Sequence, residues 1–495
     1  MRFNKVFKQY KNQIQIMELR YYFLILVFTG LLFSASCKGK DNKKNETVTI
    51  SNHSQKPNIV FIIADDMGIG DLGCYGQQYI QTPNIDKLAS TGMKFTNFYA
   101  GSTVCAPSRA SLMTGQHTGT THIRGNGEFP LRTKDTIISQ ILKKRGYTTA
   151  MFGKWGLGTE TTEGSPEKKG WDYFTGHLHH VDAHFQQPDS LWTIKKGEMA
   201  QIATPPNSYA NEIFTDKAVG FIENQTKENP FFLYLSFTVP HAELVVPNKY
   251  LKLYKNDQGQ SIFMPEKAWP SGRHYGKQKY PKAAYAALVT SMDAYIGRVM
   301  EVIKSKGFDE NTLVVFTSDN GTHIEGGRTI EDVEFFKSSS IYKGVKRDLY
   351  EGGIREPFIA SWPGKIKAGQ TSNHIAAFWD ITPTLTELSG AKAPSAKSNG
   401  ISFVNELFGK GTQKTHKYLY WEFFEGGGKQ AVRKNQWKAI RLEVNKNREA
   451  PIELYNLAKD PSESKNIADQ HPEIVKQMDS IMKIAHTPNP IFSFE

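Results

Sequence analysis

Two acidic pairs are placed where they could hold a metal. Asp65 and Asp66 follow the apolar run Asn58–Ala64, and Asp319 with Asn320 follow Thr312–Thr317. Three carboxylates and a carboxamide offer only oxygen, a donor set for Ca²⁺ or Mg²⁺ and not for Zn²⁺. Asp after a strand is also ordinary turn chemistry, so the pairs matter only if the fold brings them together. Between them lies Cys105-Ala106-Pro107-Ser108-Arg109-Ala110-Ser111-Leu112-Met113-Thr114-Gly115, a cysteine at the head of a Pro-initiated helix. The stretch His177–His184 carries four histidines, at spacings that match no zinc motif. His184 there, and His323 behind Asn320, are candidates to line a pocket and hydrogen-bond substrate hydroxyls. Trp171, Tyr173 and Trp192 either stack on a ligand ring or pack the core.

The elements that must position these groups read as an α/β domain. Asn58–Ala64 is a continuous β-branched run, the pattern of a strand buried on both faces of a parallel sheet. Thr148–Phe152, Phe231–Phe237 and Thr312–Thr317 repeat it. Helical stretches lie between: one from Thr82 as N-cap and Pro83 to a stop at Gly92, then Thr136–Lys144, Glu212–Glu223 and Ala283–Lys304. Alternating strands and helices predict a large domain, residues 57–410, with a mostly parallel central sheet flanked by helices. In such sheets ligands gather at the carboxyl ends of the strands, where the two acidic pairs stand. After residue 410 the pattern changes to antiparallel strands, Tyr418–Phe424, Gln430–Arg433 and Trp437–Leu442. A final helix follows, with Ile474, Val475, Met478, Ile481, Met482 and Ala485 on one stripe. Residues 411–495 are thus expected to be a small C-terminal domain.

At the N-terminus basic residues precede the apolar run Tyr21–Phe33 and Ser34-Ala35-Ser36-Cys37, the layout of a signal peptide over residues 1–36. Export to the periplasm follows, with Cys37 as a possible lipid-anchor site on the outer membrane; ordinary cleavage nearby is the alternative. Residues 37–56 are polar and read as a flexible tether. The formal charge is +12, of which Arg2, Lys5, Lys8, Lys11 and Arg20 against Glu18 place +4 in the leader. The remaining excess suits anionic substrates; no basic stripe or nucleic-acid module accompanies it. With three cysteines there is no disulfide framework, a Cys74–Cys105 bridge being the one internal alternative.

The segment from Cys105 to Gly115 is a complete match to the C-x-P-S-R-x-x-L-x-T-G signature of the sulfatase family of the alkaline-phosphatase-like fold, and the chain resembles that family over nearly its whole mature length. Further matches are Pro57-Asn58-Ile59-Val60 with Asp65-Asp66-Met67-Gly68, Gly153-Lys154-Trp155-Gly156-Leu157-Gly158, Pro240-His241, Ser318-Asp319-Asn320-Gly321, Gly344–Gly353 and Leu454-Tyr455-Asn456-Leu457. The resemblance implies that a formylglycine-generating maturation enzyme oxidises Cys105. Asp65, Asp66, Asp319, Asn320 and modified residue 105 would hold a divalent cation, Ca²⁺ or alternatively Mg²⁺. A geminal diol at residue 105 would attack sulfur, with its second hydroxyl ejecting sulfate afterwards. Arg109 would steady the diol. Lys154, His241 and Lys346 would surround the sulfate oxygens and supply a proton to the departing oxygen. Without the resemblance, Lys154 and Lys346 read as loop charges and His241 as a core histidine.

One position departs from the family. Many members carry His two residues after the lysine of the G-K-W segment, and this chain has Gly156. The base for sulfate release is therefore open between His241 and water. The implied substrate is a sulfated carbohydrate, such as one containing galactose or N-acetylgalactosamine. A phosphodiesterase or phosphonate monoester hydrolase of the same superfold is the neighbouring alternative, and a catalytically silent glycan-binding lipoprotein the more distant one.

Overall fold

Strand β1 (Asn58–Asp65) is buried along all eight residues. Its side chains alternate as strand geometry demands: Val60, Ile62 and Ala64 enter one apolar cluster, Ile59, Phe61 and Ile63 another. A strand covered on both faces explains the unbroken apolar run. The computed structural model describes residues 56–270, 274–391 and 398–494. The expected leader, the tether to residue 55 and the Cys37 anchor lie outside the described residues.

The further strands are β2 (Met93–Tyr99), β3 (Thr148–Lys154), β4 (Tyr173–His177), β5 (Ser190–Lys195), β6 (Glu198–Ala203), β7 (Phe231–Pro240), β8 (Thr312–Ser318), β9 (Arg355–Ser361), β10 (Gln370–Ser372) and β11 (Ala376–Ala377). They form one sheet in the order β10-β2-β9-β8-β1-β7-β3-β4-β5-β6, with β11 also on β2. The central run β8-β1-β7-β3-β4 is parallel. β9 runs against both its neighbours, and β5–β6 is an antiparallel edge hairpin. Helices Pro83–Thr91, Ala210–Glu223 and Pro281–Ser305 cover one face, and Cys105–Thr114, Ile138–Lys143 and Ile381–Leu388 the other. The expected α/β architecture is the observed one. Thr82 is the N-cap position but makes no capping bond; its hydroxyl accepts from Gly73 N (2.9 Å) and donates to Asp86 (3.1 Å).

The C-terminal part is a separate antiparallel sheet, β12 (Leu419–Phe423), β13 (Lys429–Lys434), β14 (Trp437–Leu442) and β15 (Ile452–Asn456). On one face Tyr420, Val432, Ala439 and Leu454 pack on Met478, Ile481, Met482 and Ala485 of helix Pro472–Ala485. Leu419, Trp421, Ala431 and Ile440 on the other pack on Tyr99, Val104 and Trp379 of the large part. Cys74 and Cys105 are both free thiols. Among the described residues no helix is long and apolar enough to cross a membrane.

His117 sits at this seam, its ring edge-on to Trp379 (5.8 Å) and Tyr420 (5.6 Å), with Nδ1 accepting from Gly119 N at 3.1 Å. That bond fixes a neutral imidazole. Burial first, then the charges of Arg124 and His416, hold its pKa down to about 3. A depressed folded value means stability that is full above the unfolded pKa, near 6.5, and lost as pH falls toward 3. Urea midpoints should therefore lose about 2 kcal/mol from His117 alone between pH 7 and pH 5. A His117→Gln variant, which keeps an acceptor, should lack that component.

Candidate active site

Four neighbouring parallel strands deliver the groups. Asp65 and Asp66 stand at the end of β1, Lys154 at the end of β3, His241 just past β7, and Asp319 with Asn320 just past β8. Asp66 adopts a left-handed backbone, φ 59°. This lets two consecutive carboxylates enter one site, where a continued strand would send them to opposite faces. Asp66 N donates to Asp319 Oδ1 (3.0 Å) and Asn320 Nδ2 to Asp66 Oδ1 (2.7 Å), so the two acidic pairs meet across 253 residues. Cys105 opens its helix with Sγ 3.6 Å from Asp66 Oδ1. One ligand atom each from Asp65, Asp66, Cys105 and Asp319 lies within 4.8 Å of the others.

Cations surround this group. Lys154 Nζ is 2.9 and 2.8 Å from the two oxygens of Asp65 and has no solvent exposure. Just before it, Gly153 lets β3 lie close against β7, because a Cβ there would be 1.7 Å from Ser236 O. Arg109 donates through Nε to Asp319 Oδ2 (2.9 Å) and through Nη1 to Lys154 O (3.2 Å) and Ser236 Oγ. Lys346 Nζ reaches Asp66 Oδ2 (2.7 Å), and its backbone N is tied to Thr322 O at 2.9 Å. His241 Nε2 lies 3.0 Å from Asp66 Oδ2, 3.0 Å from Glu325 Oε2 and 2.9 Å from Lys346 Nζ.

The electrostatics follow from burial of unequal charges. Burial raises Asp65 and Asp66, but Lys154 beside the first, and Lys346 with His241 beside the second, hold both below the ordinary range. Burial raises Asp319 to about 7; Arg109 opposes, while Asp65 and Asp66 add repulsion. His241 loses to burial and to Lys346, yet Asp66 and Glu325 bring it out above its ordinary value, so the imidazolium is favoured. The Cys105 thiol is pushed well up by burial and by Asp65 and Asp66, which makes it a poor thiolate. Buried Asn320 Oδ1 has no hydrogen-bond partner among the described residues. An orphaned oxygen beside crowded carboxylates is what a hard divalent cation would satisfy, so the donor set fits Ca²⁺ or Mg²⁺.

Some expected pocket residues are placed differently. His323 is fully buried, with Nε2 on Pro240 O (3.0 Å) and Nδ1 accepting from Glu325 N (3.1 Å), leaving no ring nitrogen for a substrate. Trp171 packs with Trp155, Phe232 and Tyr234 in the core, and Trp192 lies against the same cluster. Tyr173 lies edge-on to Phe221. His184 does reach the site: its ring is 4.2 Å from that of His241, and Nδ1 is 3.2 Å from Tyr275 OH. Burial, then His241 and Lys154, hold it down to about 2, hence neutral. Glu325, Tyr275 and Ser236 were not legible in advance; they come from loops or strand interiors without a motif. At Gly156, φ +72°, a Cβ would meet only His180, 3.8 Å away.

Residues 57–391 match the family model Sulfatase, and residues 343–487 match "N-sulphoglucosamine sulphohydrolase, C-terminal". The chain is 28% identical to an N-acetylgalactosamine-6-O-sulfatase of Bacteroides thetaiotaomicron, over 94% of this chain and 99% of that one. It is 31% identical to the N-acetylgalactosamine-6-sulfatase of Mus musculus, over 78% and 72% of the two chains. The solved structure of Ps i-CgsB in complex with k-i-k-neocarrahexaose superposes with a TM-score of 0.72 at 26% identity, covering 89% of this chain and 95% of that one. With a site of this composition at the ends of four parallel strands, the chain belongs to the sulfatase family and is a sulfuric ester hydrolase.

Proposed function

We propose that the chain hydrolyses a sulfate ester on a galactose- or N-acetylgalactosamine-containing glycan, after oxidation of Cys105 to formylglycine and with Ca²⁺ bound at Asp65, Asp66, Asp319 and Asn320. The observation that carries this reading is the Cys105 side chain set among three carboxylates, beside the unsatisfied Asn320 Oδ1. The hydrated aldehyde would supply the attacking hydroxyl and a second hydroxyl for sulfate release, and the cation would make the first more acidic and offset sulfate charge.

The chain's own residues have separable tasks. Arg109 orients Asp319 and Asp65 through a fixed fork of donors. Lys154 and Lys346 present ammonium groups on Asp65 and Asp66 respectively, where sulfate oxygens would gather charge. His241 holds a proton at Nε2, between Asp66 and Glu325, for the departing alcohol. Tyr275 and His184 form the adjoining wall and can hydrogen-bond a sugar hydroxyl. The relatives named for N-acetylgalactosamine sulfate, and the neighbour solved with a neocarrahexaose, support the glycan class. Export and a lipid anchor at Cys37 rest on residues 1–37 alone.

Mass spectrometry of the peptide holding residue 105, from protein made in its own host, tests the modification. Sulfate-ester hydrolysis by material whose residue 105 is an unaltered thiol would refute it. Assays on nitrophenyl sulfate and nitrophenyl phosphate separate this reading from the phosphoryl alternative. Chelation should abolish activity and lower the melting temperature, with Ca²⁺ restoring both; at a hundred times its Kd a cation contributes about 2.7 kcal/mol.

A further inference from the structure

From Lys249 to Lys282 the sequence carries eight Lys or Arg against two Asp or Glu, a net +6 that is half of the chain's formal +12. Its residues Tyr275–Gln278 border the active site. Tyr275 OH lies 3.2 Å from both His184 Nδ1 and Glu325 Oε2. Gly276 N donates to Glu243 Oε2 (2.9 Å), and Gln278 Nε2 to Leu244 O (2.6 Å). Trp269 and Gln278 exchange backbone hydrogen bonds of 2.7 and 3.0 Å, closing a short antiparallel clasp.

The clasp gathers lysines. Lys255 and Lys279 both place their ammonium groups over the Tyr280 ring, at 5.6 and 5.0 Å. Lys267 stands two residues before Trp269 and Lys277 one before Gln278, on the two arms of the clasp; both are exposed. Lys249 and Lys282 have carboxylate partners in Glu212 and Asp332. Among the described residues, Lys255, Lys267, Lys277 and Lys279 make no ion pair within 4.0 Å. Like charges placed together without counter-charges are uncompensated unless a polyanion supplies them. Lys279 is four steps along the chain from Tyr275, a reach of at most about 14 Å. Beside the catalytic centre the rings of His184 and Phe185 pack on those of Tyr275 and His274: His184 to Tyr275 (5.9 Å), Tyr275 to His274 (4.8 Å), His274 to Phe185 (5.5 Å). Amphipathic rings of this kind offer an apolar face with polar edges, which suits pyranose units between charged groups.

We propose that Lys255, Lys267, Lys277 and Lys279 form an anion-binding extension of the active site that holds further sulfate or carboxylate groups of a polyanionic glycan chain. The substrate is then an oligomer or polymer bearing several charges, and not an isolated monosulfated sugar. The inference rests on the sulfated-glycan reading above, but it is tested by binding and not by turnover.

The test titrates the Cys105→Ala protein with dextran sulfate and with neutral dextran, at low and at physiological salt. Dextran sulfate should bind and neutral dextran should not. Replacing all four lysines by Gln should weaken dextran sulfate binding about tenfold or more and flatten the log–log salt slope by about three, at roughly 0.7 per lysine as for other flexible polyanions. A four-Arg variant should retain binding, and thermal melts of both variants should match the parent. Undiminished dextran sulfate binding by the Gln variant overturns the proposal. So does a loss seen only when the same proteins are titrated in parallel with phosphatidylglycerol vesicles, which would assign these lysines to a lipid surface. Lysine-dependent binding in a protein that hydrolyses no sulfate ester would leave the extension standing and remove the catalytic reading.

Discussion

Cys105→Ala should lower sulfate-ester hydrolysis by at least about 10⁴-fold, measured on protein matured in its native host, while the fold persists. The neighbouring hydroxyls and cations cannot replace residue 105. The Ser108 hydroxyl donates to Asp319 O (2.5 Å) and that of Ser236 to Lys154 O (2.7 Å), so both hydroxyl protons are committed to backbone carbonyls. The lysines and Arg109 face the carboxylates as cations and carry no lone pair for attack. Water remains, but it lacks the fixed position at the helix N-terminus.

Structurally the change is small. Sγ is a single buried atom that hydrogen-bonds Asp66 Oδ1 at 3.6 Å, and its loss costs about 1 kcal/mol. A near-parental melting curve with no turnover is the expected pair of results. Cys105→Ser is the informative companion. Its one hydroxyl can accept sulfate but has no second hydroxyl to expel it, so sulfated protein should accumulate to one equivalent and stop. Persistent turnover by either variant would remove residue 105 from the chemistry.

The strands that carry the site were legible because burial on both faces leaves an unbroken apolar signature. Asn58–Ala64, Thr312–Thr317 and Phe231–Phe237 are each found, extended by one to three residues at their carboxyl ends. β9 escaped because it begins Arg355-Glu356-Pro357. These charges look wrong for a central strand until Arg355 is seen bonded to Glu351 (3.0 Å) and Thr96 O (2.7 Å). β2 escaped for its mixed Met93-Lys94-Phe95-Thr96-Asn97 face, and β5–β6 because an edge hairpin is half exposed.

Within the site, the metal-type donors could be read from their places at strand ends, and Cys105, Arg109, Lys154, His241 and Lys346 from the family pattern. Glu325 could not. It joins His241 across 84 residues by the path of a loop, and its neighbour His323 looked the better polar candidate. The chain turns His323 inward onto two backbone groups and Glu325 toward His241 and Lys346.

Lys438→Met should destabilise the protein by about 3–5 kcal/mol, read from denaturant midpoints at neutral pH. Lys438 is fully buried on β14, with Nζ 2.9 Å from Glu351 Oε1 and 3.0 Å from Glu463 Oε1. Glu351 also accepts from Tyr99 OH (2.7 Å), and Glu463 Oε2 accepts from Glu351 N (2.6 Å). Removing the ammonium leaves two carboxyls in one dry space. Burial already raises Glu463 to about 7 against the pull of Lys438, and without that pull it rises further. A carboxyl whose folded value lies above its unfolded one costs stability progressively as pH climbs past about 4.5. The deficit of Lys438→Met should therefore shrink at pH 5 and grow toward pH 8, and adding Glu463→Gln should recover part of it. Activity should fall even where the variant stays folded. Glu351 opens the short helix Glu351–Ile354, whose Gly352 N holds Lys343 O (2.7 Å) and whose Gly353 O receives Gly321 N (3.1 Å). The first bond closes the loop that presents Lys346; the second backs the turn that presents Asn320. Through one buried ammonium the antiparallel sheet thus sets two walls of the sulfate site. A lowered kcat with an unaltered pH 5 melting curve would separate this positioning role from stability alone.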